Sequence, residues 1–425
     1  VSASGATVPA RSGTALAAPL ADGWAVYDRQ FDRVTVVSAL AGLILSSGGD
    51  PVDRLASEVA EAAGIDEAQA AQAVTAAVDS LVEAGFLVGP PPGTTASSAT
   101  ARAASTDDAD AESGSRRLAR DRPGTSLSPP QALLDHRLVF RSTDASLLAD
   151  IDAYLGVDPC DGEPTMVFDV EPTDDGGVLL QAAEDWDFPD RHGFLVQLPG
   201  VINDFAPRAA SFLVLHAGAV RHSDGTITVV AGLPEAGKST LTVALVQAGA
   251  DYLGDELTGV RLGSLQAVGF PRSPALDEPS RQVVGVVGDP DNPFVAISEI
   301  RHETVNVTGD AGPITRIILP TYDPDLGSAD PDDPDAPGQA DGIDSDLSAQ
   351  DGQDGAGSSG PHPRQVEHLT PRVALEALLG ATLNLYTAGQ TGWETLCQLA
   401  DQVPVLAIRH NDSAALAQAL TTNQL

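Results

Sequence analysis

Short stretches of β-branched and aromatic residues alternate with amphipathic runs along most of the chain, and two long segments break that rhythm. Near the N-terminus, "WAVYD" (24–28) and "RVTVV" (33–37) predict paired strands. A helix should follow, with Asp50 as its cap, Pro51 in the first helical position and Gly64 at its end. The next runs from about Asp66 to Gly85, with Val74, Val78, Leu81 and Val82 on one face. Two or three strands with such helices predict a small α+β winged-helix unit over 21–88.

Further on, strand patterns alternate with helix patterns. "RLVFRST", a helical "DASLLADIDAYLG", "PTMVFDVE", "GVLLQAA", "FLVLHAGAV" and "TITVVAG" lead into the helix "KSTLTVALVQAG". "LTPRVALEALLGATLNLY" reads as one helix, capped by Thr370 with Pro371 at its start. "WETLCQLADQ", the strand "VPVLAIRH" and a helix from Asn411 close the chain. This order predicts an α/β domain with a mixed sheet over 133–425.

The breaks in the pattern are compositional. Residues 89–132 are mostly Pro, Ser, Thr, Ala and Asp, which bury too little apolar surface to fold, and they read as a flexible linker. A second such segment, the acidic insertion 323–364, carries eleven aspartates and reads as a solvated, disordered loop. Residues 1–20 are expected to be disordered as well.

Composition narrows the class. With 425 residues and 42% hydrophobic content, the chain is long enough for two or three cored domains. No apolar run nears the roughly 20 residues of a membrane helix, and the first residues make a poor secretion signal, so a cytoplasmic protein is expected. Cys160 and Cys397 stand apart, without disulfide or zinc spacing. The net charge of −37 argues against nucleic acid as a partner.

Against that acidity one cation stands out. Lys238 is the only lysine, and the remaining members of the 23 Lys and Arg residues are arginine. It lies in "GLPEAGKST", Gly232-Leu233-Pro234-Glu235-Ala236-Gly237-Lys238-Ser239-Thr240, which fits the pattern GxxxxGK[ST] between a strand and a helix. Glycines let the backbone turn its N–H groups onto phosphate oxygens, and the helix N-terminus adds its positive end. A lysine ammonium is a compact point charge for the β- and γ-phosphates, a slot that the broad planar guanidinium does not fill. The Ser239 hydroxyl can ligate Mg²⁺. Glu235 is the odd member, a carboxylate that must face away from phosphates.

A phosphate loop alone implies nucleotide binding, not a reaction. "ADYLGDELTGV" places Asp255 and Glu256 seventeen and eighteen residues past Lys238, and two such carboxylates can divide metal holding from proton acceptance. An exposed acidic pair is equally a solvated turn. His216, at the end of the strand in "LHAGAV", is by itself most simply a core residue.

Together these segments resemble the HPr kinase/phosphorylase family: a histidine at a strand end, a P-loop about twenty residues later, and an acidic pair soon after the loop helix. "GFPRS", "IILPTYDP" and "VPVLAIRHND" are similar to later landmarks of divergent members, and the resemblance spans roughly residue 138 to the C-terminus. It implies ATP and Mg²⁺ as cofactors, with residues 232–240 on the phosphates and Ser239, Asp255 and Glu256 near the metal. It also implies Asp255 as proton acceptor, and His216 and Lys238 as catalytic residues beside the transferred phosphate. Glu256 departs from the family's second aspartate. Arg272 is a further phosphate or substrate contact on this resemblance.

The N-terminal unit resembles the PqqD-like peptide chaperones, winged-helix domains that hold the leader of ribosomally made precursor peptides. Such a leader would add as a strand to a sheet edge. The resemblances imply a kinase acting on a Ser or Thr hydroxyl of a ribosomally made precursor peptide or small protein. The alternative is a non-catalytic ATP-binding delivery or scaffold protein of the same pathway. A homo-oligomer is left open, and nucleic acid and membrane are not expected as partners.

Overall fold

Strand register sorts the chain into four sheets among the residues that the computed structural model describes, namely 7–21, 23–88, 123–155, 159–181, 185–209, 211–270, 272–287, 294–295, 297–301, 309–326, 364–422 and 424. Parallel and antiparallel strands and helices are mixed, as expected for an α/β domain with a mixed sheet. The expected linker 89–132 and acidic insertion 323–364 fall largely outside the described residues.

The first unit opens with β1 (Ala10–Arg11), β2 (Ala15–Leu20), β3 (Gly23–Asp28) and β4 (Arg33–Val37). Strands β2, β3 and β4 pair antiparallel in that order, and α1 (Ala39–Ser46), α2 (Val52–Ala63) and α3 (Glu67–Glu83) follow. Strand β5 (Leu87–Val88) returns to pair with β1. The expectation of disorder over 1–20 is therefore corrected for β1 and β2. Strand β2 is half alanine, and both its faces are covered: Leu16, Ala18 and Leu20 on one side, Ala15 and Ala17 on the side of α1–α3. Helix α2 starts after Pro51, which makes no side-chain cap, and ends at the left-handed Gly64. Helix α3 is capped by Asp66, which accepts from the Gln69 N–H; it buries Val74 and Leu81 and leaves Val82 exposed.

The second sheet contains β6 (Ser126–Leu127), β7 (Gln131–Leu133), β8 (His136–Ser142), β9 (Met166–Pro172), β10 (Val178–Gln181) and β11 (Asp185–Phe188). Strands β6 and β7 correct the linker boundary at 132. They are held to β8, where Ser128 Oγ accepts from the Phe140 N–H at 2.9 Å. Helices α4 (Ala145–Leu155) and α5 (Arg191–Phe205) share its core.

The third sheet carries the loop of interest. Its members are β12 (Phe212–Leu215), β13 (Ala217–Arg221), β14 (Ile227–Ala231), β15 (Asp251–Gly254), β16 (Thr258–Arg261), β17 (Gln266–Gly269), β18 (Gly309–Tyr322), β19 (Arg364–His368) and β20 (Val405–His410). The order is β12-β16-β17-β18-β14-β13-β15, with β20 on β18 and β19 on β20. Only the β14–β18 and β18–β20 pairs within it are parallel. Helix α6 (Lys238–Gln247) leaves the loop after β14, and α7 (Glu278–Val284) and the short α8 (Ile297–Ile300) come later. Helices α9 (Pro371–Gly380), α10 (Leu385–Gln402) and α11 (Ser413–Thr421) belong to the C-terminal part. Helices α9 and α10 pack in the core on one face, and α6, α7 and α11 in that on the other.

The single helix expected over "LTPRVALEALLGATLNLY" is two. The chain breaks at Ala381–Asn384 because its polar groups are claimed by β12. Asn384 Oδ1 accepts from the Val214 N–H at 2.8 Å, Asn384 Nδ2 donates to Phe212 O at 2.9 Å, and the His216 N–H donates to Ala381 O at 2.7 Å. These long-range bonds override local helix propensity.

The N-terminal unit is packed against α10. Trp393 is fully buried, donates Nε1–H to Ala25 O at 3.1 Å and stacks on Tyr27 with ring centroids 5.4 Å apart. Gln390 meets both backbone groups of Ala17: Oε1 accepts from its N–H at 3.3 Å, and Nε2 donates to its carbonyl at 2.6 Å. Among the described residues, no helix is long and apolar enough to cross a membrane.

Candidate functional site

The polarity of the third sheet brings several strand ends to one edge. Strands β14, β18 and β20 end there in Ala231, Tyr322 and His410, while antiparallel β13 begins there at Ala217 and β15 ends there at Gly254. The loop 232–237, the acidic pair and His216 are therefore neighbours, although 40 residues separate His216 from Glu256.

Loop geometry follows from residue type. Gly237 stands at the head of α6 with φ 86°, a left-handed conformation natural to glycine. Glu235, at φ 64°, holds the same region without being glycine. Lys238 is buried, and its Nζ donates to Leu233 O at 3.0 Å, across the mouth of the loop. Burial lowers its pKa, opposed by the charges of Glu256 and Asp255.

Asp255 follows the tightly packed Gly254, where a Cβ would lie 2.9 Å from both the Leu257 and Phe270 carbonyl oxygens. Only a residue without a side chain lets the chain turn there. Asp255 is 2% exposed, and neither carboxylate oxygen makes a hydrogen bond of normal geometry among the described residues. Burial first, and the Glu256 charge second, push its pKa up to about 6, against the lowering effect of the nearby Ser239 hydroxyl, Arg272 and the Ala275 backbone. A carboxylate so placed is a ready acceptor for a proton or a ligand for a hard cation.

Glu256 is turned elsewhere. Its Oε2 lies 3.5 Å from His216 Nε2 and its Oε1 3.4 Å from Arg272 Nη2. The hydrogen bond from His216 holds its pKa down, against burial and with the help of Arg272 and Lys238. Arg272 is 5% exposed, and its Nε and Nη1 have no hydrogen-bond partner among the described residues. A buried guanidinium with two donor nitrogens unpaired among the described residues, beside the loop 232–237, is suited to oxyanions.

The expected site residues thus converge, with Glu256 engaged by His216 and Arg272. No group of three or more His, Cys, Asp or Glu residues gathers around a common point among the described residues. The oxygen donors available to a metal are few, Ser239 and Asp255 among them, which suits Mg²⁺ completed by phosphate and water.

Sequence reasoning passed over three neighbours. Tyr252, fully buried, donates its hydroxyl to Arg272 O at 2.6 Å and so fixes the arginine's backbone. Tyr154 of α4 stands edge-on to Phe294, over which Arg272 lies at 5.8 Å. His410 pairs with Tyr322 across β18 and β20, its ring edge-on at 5.9 Å. The aromatic at position −3 from Asp255 was a signal for the first; no local pattern marks the other two.

No family model matches the chain, and no curated protein does. Among solved structures, the chain is similar to the Hpr(Ser) kinase/phosphatase from Coxiella burnetii, with 13% identity and a TM-score of 0.22 over 50% of this chain and 95% of that one. A score that low carries no weight, and the chemistry rests on the residues themselves.

Proposed function

We propose that the chain transfers the γ-phosphoryl group of ATP to a Ser or Thr hydroxyl of a peptide or small protein. The observation that carries this is Asp255, a buried carboxylate with neither oxygen in a hydrogen bond of normal geometry among the described residues and its pKa raised to about 6, beside the lysine and serine of a GxxxxGK[ST] loop. Residues 232–240 would cradle the phosphates, with Lys238 leaving Leu233 O for a phosphate oxygen. Asp255 takes the proton as the acceptor oxygen bonds to the γ-phosphorus, the bridge to the β-phosphate breaks and ADP leaves. His216, through Glu256, and Arg272 would face the charge that spreads over the transferred group. Ser239 and Asp255 would hold Mg²⁺, which supplies charge neutralisation for the phosphates.

In this proposal the N-terminal unit is winged-helix-like and holds the leader of a ribosomally made precursor. The outer backbone of β2 is engaged by Gln390 at Ala17, whereas β4 pairs only with β3 among the described residues. Strand β4 is therefore the edge a leader would extend.

A second reading, a non-catalytic ATP-binding delivery or scaffold protein, draws on the core shared by β2 and β3 with α10. Through it, a nucleotide-dependent change would reach the leader edge without any transfer. Transfer of label from γ-labelled ATP, and its loss in Asp255→Ala, separates the two.

A further inference from the structure

Glu235 is the residue of the loop that phosphate binding leaves unexplained. A carboxylate among phosphates is repelled, and a non-glycine residue in the left-handed region costs about 1 kcal/mol or more. Yet it is held there, at φ 64°, and lines a cavity of about 130 Å³ with Gly237, Thr240, Pro279, Val283 and Tyr322. The other side of this cavity is apolar and open. Tyr322 and Val283 are each 44% exposed, large side chains presented to solvent on a strongly acidic protein. Tyr322 is braced from behind. His410, 2% exposed and with neither ring nitrogen in a hydrogen bond of normal geometry among the described residues, stands edge-on to it at 5.9 Å. A hypothetical Cβ on Gly237 would meet the Tyr322 Cβ at 3.8 Å, so the ring begins where the loop ends.

We propose that this cavity receives the nucleoside of the nucleotide whose phosphates lie on residues 232–240, with the base against Tyr322, Pro279 and Val283 and the ribose hydroxyls donating to Glu235. The inference rests on the nucleotide reading above and extends it to selectivity. Phosphate, sugar and base are joined in that order, so the group within the loop meets the sugar and the groups beyond it meet the base. A carboxylate accepts two hydroxyl donors, as acidic residues do for ribose elsewhere. The remaining polar residues on the wall are the short hydroxyls Thr240, Ser280 and Ser413, while every base has a π-face to stack. The site is therefore ribose-selective and base-tolerant.

Calorimetric titration of the full chain with Mg²⁺ tests this, using ATP, GTP, 2′,3′-dideoxy-ATP and inorganic tripolyphosphate. ATP and GTP should bind within about threefold of each other, and the dideoxy nucleotide about tenfold more weakly than ATP. Glu235→Gln should narrow that last gap. Tyr322→Ala should weaken ATP and GTP by about tenfold or more and leave tripolyphosphate unchanged, with Tyr322→Phe close to wild type. Tight ATP binding that ignores both Tyr322→Ala and the missing hydroxyls would overturn the subsite while sparing the phosphate loop. Folded protein that binds neither ATP nor tripolyphosphate would overturn both.

Discussion

The Nε2 atom of His216 lies 3.5 Å from Oε2 of Glu256. That contact, with Arg272 at 3.4 Å on the other oxygen, fixes Glu256 as a positioning group between a histidine and a buried arginine. Glu256→Gln removes the charge that organises both while keeping the side chain's shape. Phosphoryl transfer should fall about 10- to 100-fold in kcat, with nucleotide affinity near wild type. Equal losses in binding and turnover would assign Glu256 to the phosphate site instead.

Asp255 is expected to cost stability. Its folded-state pKa, raised from the ordinary 3.8 to about 6, means that the folded protein favours the protonated form. The favourable contribution is complete below about pH 3.8 and is lost as pH rises through about 6. The full difference corresponds to roughly 3 kcal/mol. In nucleotide-free, metal-free protein, Asp255→Asn should therefore raise Tm at pH 8, and the gain should vanish near pH 4. Chemical and thermal unfolding across that range measure it directly.

Gln390→Ala should loosen the N-terminal unit from α10. It removes both hydrogen bonds to Ala17, about 0.5–1.5 kcal/mol each. Hydrogen exchange at the Ala17 amide should speed up well before exchange in the core of the third sheet. Unchanged protection there would mean that Trp393 and its apolar neighbours hold the contact alone.

The loop 232–240 and the acidic pair were legible in the sequence because their signals are local: glycines at fixed offsets, one lysine, and carboxylates just past a short helix. The mixed sheet was legible through its alternating strand and helix patterns. What escaped was long-range. The helix break at Ala381–Asn384 is made by bonds from Asn384 to β12, about 170 residues upstream. Strand β2 has no strong strand signal because half of "ALAAPL" is alanine, small enough to lie between two packed layers. Tyr322 meets His410 only because β18 and β20 run parallel in that register, with the acidic insertion between them in sequence.

The central claim is transfer of the γ-phosphoryl group to a hydroxyl with Asp255 as base. Its most direct test incubates the purified full chain with γ-labelled ATP, Mg²⁺ and the small proteins and peptides encoded beside its gene. Wild type runs against Asp255→Ala and Lys238→Ala. Wild type should place label on the Ser or Thr of one such peptide and neither variant should, with nucleotide binding kept in Asp255→Ala but weakened in Lys238→Ala. Lys238-dependent ATP binding with no labelled acceptor, or labelling that persists in Asp255→Ala, would contradict it.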